Sequence, residues 1–220
     1  MPDRDASPGG RFPGYDVLAK RDTPSWNPQT RQVIEARLAI RAEPKFLTAA
    51  ELTTLTAVAA RIVPQPSTRP AIPVAALVDH KLESGKSEGY RHAGLPRERE
   101  AWRLGLRALD AESRAAHGED FHRLEIAQQD RLLERMQRGD LHAPDWSGMP
   151  PRTFFTQRLA HDILMAYYSH PVAWSEIGWG GPASPRGYVR MDFDERDPWE
   201  AAEVKDGDVE AARRKNQRVG

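Results

Sequence analysis

The chain has 220 residues, and its 32 Lys plus Arg residues balance its 32 Asp plus Glu residues, so the formal net charge at neutral pH is zero. A neutral chain offers no electrostatic reason to bind nucleic acid or an anionic membrane. The absence of cysteine excludes disulfides, iron–sulfur clusters and thiolate zinc sites. No apolar run approaches the roughly 20 residues that a membrane-spanning helix needs, so we also expect no membrane span.

Residues 1–45 are predicted to form an extended N-terminal arm. This segment is rich in Pro, Gly and charge and lacks the apolar stretch of a signal peptide. That pattern predicts a cytoplasmic chain, or a periplasmic one if a partner carries it across the membrane. Apolar residues within 30–41 predict one short helix in the arm. Two interpretations stay open: a flexible leader, or an arm that wraps a partner with Phe12, Tyr15 and Trp26 as anchors.

Residues 46–172 are predicted to form an all-α domain, an irregular bundle of about five helices. Thr48 and Glu51 have the spacing of a capping box at the start of the first helix, and Pro64 ends that helix. Apolar residues recur at helical spacing in the later segments, and no run of alternating β-branched residues predicts a strand. The predicted helices span about 48–62, 73–82, 96–116, 124–139 and 151–168.

The segment 173–202 is predicted to be an ordered loop, and the charged segment 203–220 a solvated tail. Glycine and proline are rare in the interiors of helices and strands, whereas disordered tails are poor in aromatic residues. Trp, Tyr and Arg side chains contribute most of the binding free energy in protein interfaces. The candidate partner-interface residues are therefore Trp26, Trp174, Trp179, Arg186, Tyr188, Arg190 and Trp199. The alternative, that the tryptophans cover the protein's own helices, stays open.

No cofactor-binding or metal-binding residue is predicted in this chain. Residues 178–183 fit the G-x-G-x-x-A pattern of dinucleotide sites, but the prolines at 182 and 185 break the helix that must follow such a loop. Histidine and acidic residues cluster at 117–122, and metal sites use such residue types. Residues of these types are also routine caps at helix ends, which is the interpretation that we adopt.

No catalytic residue is predicted either, although one enzymatic alternative stays open. His161, Asp162 and His170 are residue types that transfer protons, and a stand-alone enzyme could use them. The sequence shows neither a cleft nor a perturbed pKa at these positions. A third alternative is an α-helical binding module with an unrelated partner.

Several segments, taken in order, resemble the gluconate 2-dehydrogenase subunit 3 family. The resemblance covers about residues 46–200, and no single short motif in it is diagnostic. The order of the segments and the Gly-Trp-Gly-Gly-Pro turn at 178–182 together make it specific. The matching segments are Phe46-Leu47-Thr48 to Ile62-Val63-Pro64, Ile72 to Val78, the helix with Phe154-Phe155, Ala166 to Pro171, and Glu176 to Pro182.

The resemblance implies a non-catalytic small subunit of an oxidoreductase. In this family the small subunit associates with a large flavoprotein of the glucose–methanol–choline oxidoreductase type, which carries FAD and oxidises a sugar or polyol. A c-type cytochrome subunit often accepts the electrons. FAD is thus expected in the partner and no cofactor in this chain. Family members often begin with a twin-arginine signal, whereas the only Arg-Arg pair here is at 213–214, so the sequence does not support a role in export.

Overall fold

The structure is a computed structural model that describes residues 10–23, 25–86, 92–182 and 199–218. All regular elements within these ranges are helical, which confirms the predicted all-α fold. The chain divides into two compact units, unit 1 (1–39 and 168–220) and unit 2 (40–167).

The helix bounds follow the predicted bundle closely in unit 2 and add helices in unit 1. The α-helices are α1 (Pro28–Leu38), α2 (Ala49–Ile62), α3 (Val74–Ser84), α4 (Glu98–His117), α5 (Ile126–Arg138), α6 (Pro151–Phe154), α7 (Ala160–Tyr168), α8 (Pro171–Ile177) and α9 (Val209–Asn216). A π-helical stretch, Phe155–Leu159, joins α6 to α7. None of the helices in the described ranges combines the length and the hydropathy that crossing a membrane requires.

Hydrogen bonds from two side chains fix the start of α2. The Thr48 hydroxyl accepts from the Glu51 amide at 3.2 Å, and the Glu51 carboxylate accepts from the Thr48 amide at 2.9 Å. This reciprocal pair confirms the predicted capping box. Asp79 of α3, which is fully buried, accepts the backbone N–H groups of Lys45 at 2.6 Å and Leu47 at 2.7 Å. These bonds hold the segment before α2 against α3.

The core of unit 2 depends on a glycine in the middle of α4. The ring of Trp102 packs edge-to-face against that of Phe154, with ring centroids 5.7 Å apart. A Cβ atom at Gly105 would lie 2.3 Å from the Phe154 ring, far inside van der Waals contact. Since Phe154 is completely buried, its ring has little room to move. Gly105 is therefore what allows Phe154 to pack directly against α4.

Asp110 of α4 is a partly buried carboxylate with a perturbed pKa. It accepts from the backbone N–H of Phe121 at 3.0 Å and from the Thr54 hydroxyl at 2.9 Å. Burial raises the pKa of Asp110, and the nearby Asp120 adds to the rise, whereas the two hydrogen bonds and Arg114 lower it. The carboxylate form is thus less favourable in folded unit 2 than in the unfolded chain.

The raised pKa predicts how an Asp110→Asn variant changes stability with pH. Between the ordinary pKa of an aspartate, about 3.9, and its raised value in the folded chain, the folded state binds more protons. Wild-type stability therefore falls as the pH rises through this window. Asparagine stays neutral at both pH values. The free energy of unfolding of Asp110→Asn, relative to that of wild type, should therefore be higher at pH 7 than at pH 3, by less than about 1 kcal/mol because the group is partly exposed.

Urea unfolding at the two pH values, followed by circular dichroism, measures this difference. The exposed Asp140, which pairs with Arg138 at 2.9 Å, provides the control variant Asp140→Asn. A difference of the opposite sign for Asp110→Asn, relative to that control, would show that the folded state favours the charged carboxylate.

Unit 1 is built from segments at the two ends of the chain, which the sequence predicts to be an extended arm and a solvated tail. The described parts of both segments instead belong to one folded unit. The side chain of Asn216 in α9 is buried; it accepts from the Ala202 amide at 2.6 Å and donates to the Pro13 carbonyl at 2.9 Å. The buried core of this unit consists of Tyr15, Val17, Trp26, Ile34 and Trp174.

Candidate partner-binding site

Helix α8 occupies the beginning of the segment that is predicted to be a loop. Pro171 stands in its first turn, where the missing N–H has no partner to lose. The Nδ1 atom of His170 accepts from the Val172 amide at 3.3 Å, and Gly178 ends the helix with a φ of 69°, a left-handed conformation suited to glycine. The prediction of a loop is thus wrong for residues 173–177, and residues 183–198 lie outside the described ranges.

Two tryptophans at α8 have different roles. Trp174 is 2% exposed, and its indole N–H donates to the Tyr168 carbonyl at 2.6 Å. Trp179 follows the helix; its amide donates to the Trp174 carbonyl at 2.9 Å, and its ring meets the Trp174 ring edge-on at 4.7 Å between centroids. Because Trp179 is still 44% exposed, Trp174 anchors the turn while Trp179 presents an aromatic surface to solvent.

The segment before α1 holds the Gly-Trp-Gly-Gly-Pro turn in place. The Lys20 ammonium is buried and donates to the Gly180 carbonyl at 3.3 Å, and the Val17 amide donates to the Ser175 hydroxyl at 3.1 Å. Burial lowers the pKa of Lys20, and the negative charge of Glu200 partly opposes this. The exposed ring of Trp179 is therefore mounted on a turn that is fixed from both sides.

An open apolar groove of about 460 Å³ lies beside Trp179, and we call it the unit 1 groove. Its walls come from α1 and from residues around α8. The side chains of Val33, Tyr168 and Trp179 remain 58%, 48% and 44% exposed. Large apolar side chains that converge on an open groove are typical of a surface that another protein covers. The groove is lined by Gln29, Thr30, Val33, Ile34, Arg37, Tyr168, Ser169, Trp174, Trp179 and Pro182.

One cationic side chain, Arg37, lies in this groove. Its Nη1 atom donates to the Ser169 carbonyl at 2.7 Å. Burial lowers the pKa of Arg37, and no charge in the described part of the chain counteracts that effect. The groove thus combines apolar and aromatic walls with one guanidinium group, the residue types that dominate binding energy in interfaces.

The predicted interface residues lie in different environments in the structure. Trp26 and Trp174 are buried in the core of unit 1, in agreement with the open alternative that tryptophans cover the chain's own helices. Trp199 is half-buried against the same core. Trp179 is the one of the described candidates that both lines the groove and remains strongly exposed. Outside the described ranges lie Arg186, Tyr188 and Arg190.

Three groove residues, Val33, Arg37 and Tyr168, were not predicted as interface residues. Val33 and Arg37 are four positions apart and so lie on the same face of α1. The helix itself is predicted, and the exposed apolar Val33 beside the buried Ile34 is a possible signal of a binding face. Whether a given face of α1 is covered depends on contacts with residues far along the chain. The apolar periodicity of α1 does not report such contacts.

The residues of the enzymatic alternative have structural partners. The Asp162 carboxylate is fully buried, accepting from the Trp102 indole N–H at 2.9 Å and from the Lys81 ammonium at 3.1 Å. Lys81 also lies 3.1 Å from the Glu98 carboxylate, so the three charged side chains form one partly buried cluster. His161 Nδ1 lies 3.1 Å from Asp162. In unit 1, His170 caps α8. Asp162 and His170 thus have structural roles, while the exposed His161 contacts Asp162.

The remaining candidate sites in unit 2 are less suited to a partner. A pocket of about 590 Å³ lies at the end of α2 and the start of α3, but its lining is mostly Ala, Val and Pro and includes no aromatic side chain. Within the described ranges, no group of three or more His, Asp and Glu side chains is placed to hold a metal ion. In the 117–122 segment, the Asp120 carboxylate pairs with Arg114 at 2.5 Å. Of these two pockets in the described part of the chain, the unit 1 groove is therefore the better candidate for a partner.

Comparison with known proteins agrees with the resemblance in the sequence. A family model described as Gluconate 2-dehydrogenase subunit 3 matches residues 49–181, more than half of the chain. The match begins at α2 and ends in the turn that carries Trp179. No curated protein and no solved structure gives a match. The match contains most of unit 2, all of α8 and residues 178–181 of the Gly-Trp-Gly-Gly-Pro turn, so the chain belongs to the gluconate 2-dehydrogenase subunit 3 family.

Proposed function

We propose that this chain is the small accessory subunit of an FAD-dependent dehydrogenase complex that oxidises gluconate or a related sugar or alcohol. Its role is to stabilise or mature the large flavoprotein subunit of the glucose–methanol–choline oxidoreductase type. The observation that carries the proposal is the family match over residues 49–181, because membership of a subunit family implies a complex with other subunits. A c-type cytochrome would be a further component where electrons pass to a respiratory chain.

The unit 1 groove supports an accessory role, because its exposed side chains suit a protein partner. Trp179 and Tyr168 offer large, rigid apolar surfaces, and few rotatable bonds need to be fixed when they are covered. The turn that carries Trp179 is already held by Lys20 and Trp174 in the free chain. A preorganised surface of this kind loses little conformational entropy on binding.

Stabilisation of the partner follows from mass action. A subunit that binds the folded flavoprotein, and not its unfolded chain, shifts the folding equilibrium toward the folded form. At a free concentration one hundred times its dissociation constant, the subunit adds about 2.7 kcal/mol to the partner's free energy of unfolding. An accessory subunit can thus raise the yield of active enzyme without taking part in the chemistry.

Co-expression tests the proposal. The chain carries a tag and is expressed together with its native neighbouring genes, and the proteins that co-purify are identified by mass spectrometry and by flavin absorbance. We expect a yellow, FAD-containing large subunit, whose soluble yield falls when the gene for this chain is deleted. A colourless monomer, with the flavoprotein equally soluble in both cultures, would contradict the proposal. Sugar oxidation by the purified chain alone would favour the enzymatic alternative instead.

A further inference from the structure

The charge of Arg37 restricts what the unit 1 groove can bind. Three other arginines in unit 1 have carboxylate partners: Arg11 pairs with Glu203, Arg21 with Glu35, and Arg213 with Glu210. Arg37 has only the Ser169 carbonyl, and no carboxylate of the described ranges lies within ion-pair distance of it. Its Nε and Nη2 atoms form no hydrogen bond within those ranges either. Arg37 is thus a partly desolvated cation with no compensating negative charge among the described residues.

A purely apolar occupant would increase the free-energy cost of desolvating Arg37. Covering the groove removes Arg37 from its remaining water, and an unpaired charge is costly to bury. Burial is the cause of the lowered pKa of Arg37, which agrees with a desolvation that no charge in the described ranges offsets. A carboxylate from the occupant would supply the missing charge, and the planar guanidinium can bind it through two parallel hydrogen bonds.

Building on the proposed function, we propose that the unit 1 groove binds an apolar segment of the flavoprotein subunit that carries an aspartate or glutamate, whose carboxylate pairs with Arg37. The apolar side chains of that segment contact Val33, Tyr168 and Trp179. A protein segment suits this groove better than a free small molecule, because Val33 and Trp179, which line it, remain about half exposed. The carboxylate determines how the segment is oriented in the groove.

Binding of the co-purified flavoprotein to variants of this chain tests the ion pair. Arg37→Gln should weaken binding about 30-fold or more, as for the loss of one member of a buried charge pair. Arg37→Lys keeps the charge but loses the planar fork, so it should recover part of the affinity. Arg214→Gln, at an exposed position of α9 in the same unit, is the matched control and should bind like wild type.

A second pair of variants tests the inference without touching Arg37. Glutamate at position 33 is one helical turn from Arg37 and would repel the incoming carboxylate, so Val33→Glu should bind more weakly than the neutral variant Val33→Gln. Because Val33 is 58% exposed, both variants should fold. Equal affinities for these two variants, or wild-type affinity for Arg37→Gln, would overturn the inference. If the wild-type chain itself binds no flavoprotein, the proposed function fails first, and the two failures are thereby distinguished.

Discussion

Replacing Asp162 by alanine is expected to destabilise unit 2 by about 3–5 kcal/mol, the range for breaking a buried ion pair. The variant removes the acceptor of the indole N–H of Trp102, a completely buried side chain. It also removes one of the two carboxylates, Asp162 and Glu98, that pair with Lys81. Small domains are stable by only about 5–15 kcal/mol, so much of the stability of unit 2 would be lost. Hydrogen exchange of α3, α4 and α7, with urea unfolding followed by circular dichroism, measures the effect.

Two further variants separate the causes of this loss. Asp140→Ala removes an exposed carboxylate paired with Arg138 in the same unit, and we expect a change of at most about 1 kcal/mol. Asp162→Asn retains an oxygen for Trp102 but removes the charge, so its effect should fall between the other two. An unfolding midpoint for Asp162→Ala equal to that of Asp140→Ala would show that the partly buried cluster contributes nothing to the stability of unit 2.

Trp179→Ala is expected to weaken binding of the flavoprotein subunit by about 30-fold or more, since interface hot spots of this type contribute at least about 2 kcal/mol. The side chain is 44% exposed, and the ring contact that it makes in the described ranges is the edge-on one with Trp174, so its removal should cost the free chain little stability. Trp174→Ala should instead destabilise unit 1 itself, because that side chain fills the core. Affinity from calorimetric titration and thermal unfolding of the free chain distinguish these two effects.

The control for Trp179 is Ile126 of α5, an apolar side chain of unit 2 that is 61% exposed. Ile126→Ala removes a similarly exposed apolar group far along the chain from the groove residues. We expect it to leave affinity unchanged. Should Ile126→Ala and Trp179→Ala weaken binding equally, or neither weaken it, the groove would not be the surface that the partner covers.

Helices of unit 2 could be predicted because their signals are local. The capping box of Thr48 and Glu51 involves residues three positions apart, and Gly118 and Gly139 end α4 and α5 in the left-handed conformation that glycine adopts easily. The π-helical stretch Phe155–Leu159 was not predicted, because its extra residue changes the backbone hydrogen bonding without changing the apolar pattern enough to be noticed.

Unit 1 could not be predicted because its contacts join the two ends of the chain. Asn216 bonds to Pro13, and Lys20 bonds to Gly180 across 160 positions. Neither Pro-rich nor charged segments show an apolar periodicity that would predict such pairing, and a tail with several charges is more often solvated. Helix α8 did carry a local signal, Pro171 in its first turn and Gly178 at its end, but the density of Gly and aromatic residues favoured a loop.

The candidate site was predicted in part. Trp179 follows from its residue type and from the Gly and Pro residues around it, whereas Trp174 has the same type and is buried. Composition cannot separate these two, because burial depends on which side of α8 meets the segment before α1. The contribution of Arg37 likewise requires the fold, since only the fold shows that it lacks a carboxylate partner among the described residues.

Thermal unfolding of the flavoprotein subunit in the presence of increasing amounts of this chain is the most direct test of an accessory role. Flavin fluorescence reports the release of FAD as the large subunit unfolds, and this chain, with no flavin expected, adds no signal. We predict that the melting temperature rises with the concentration of the wild-type chain and rises less with Trp179→Ala. A melting temperature that stays constant over saturating concentrations of the wild-type chain would contradict the proposed stabilisation.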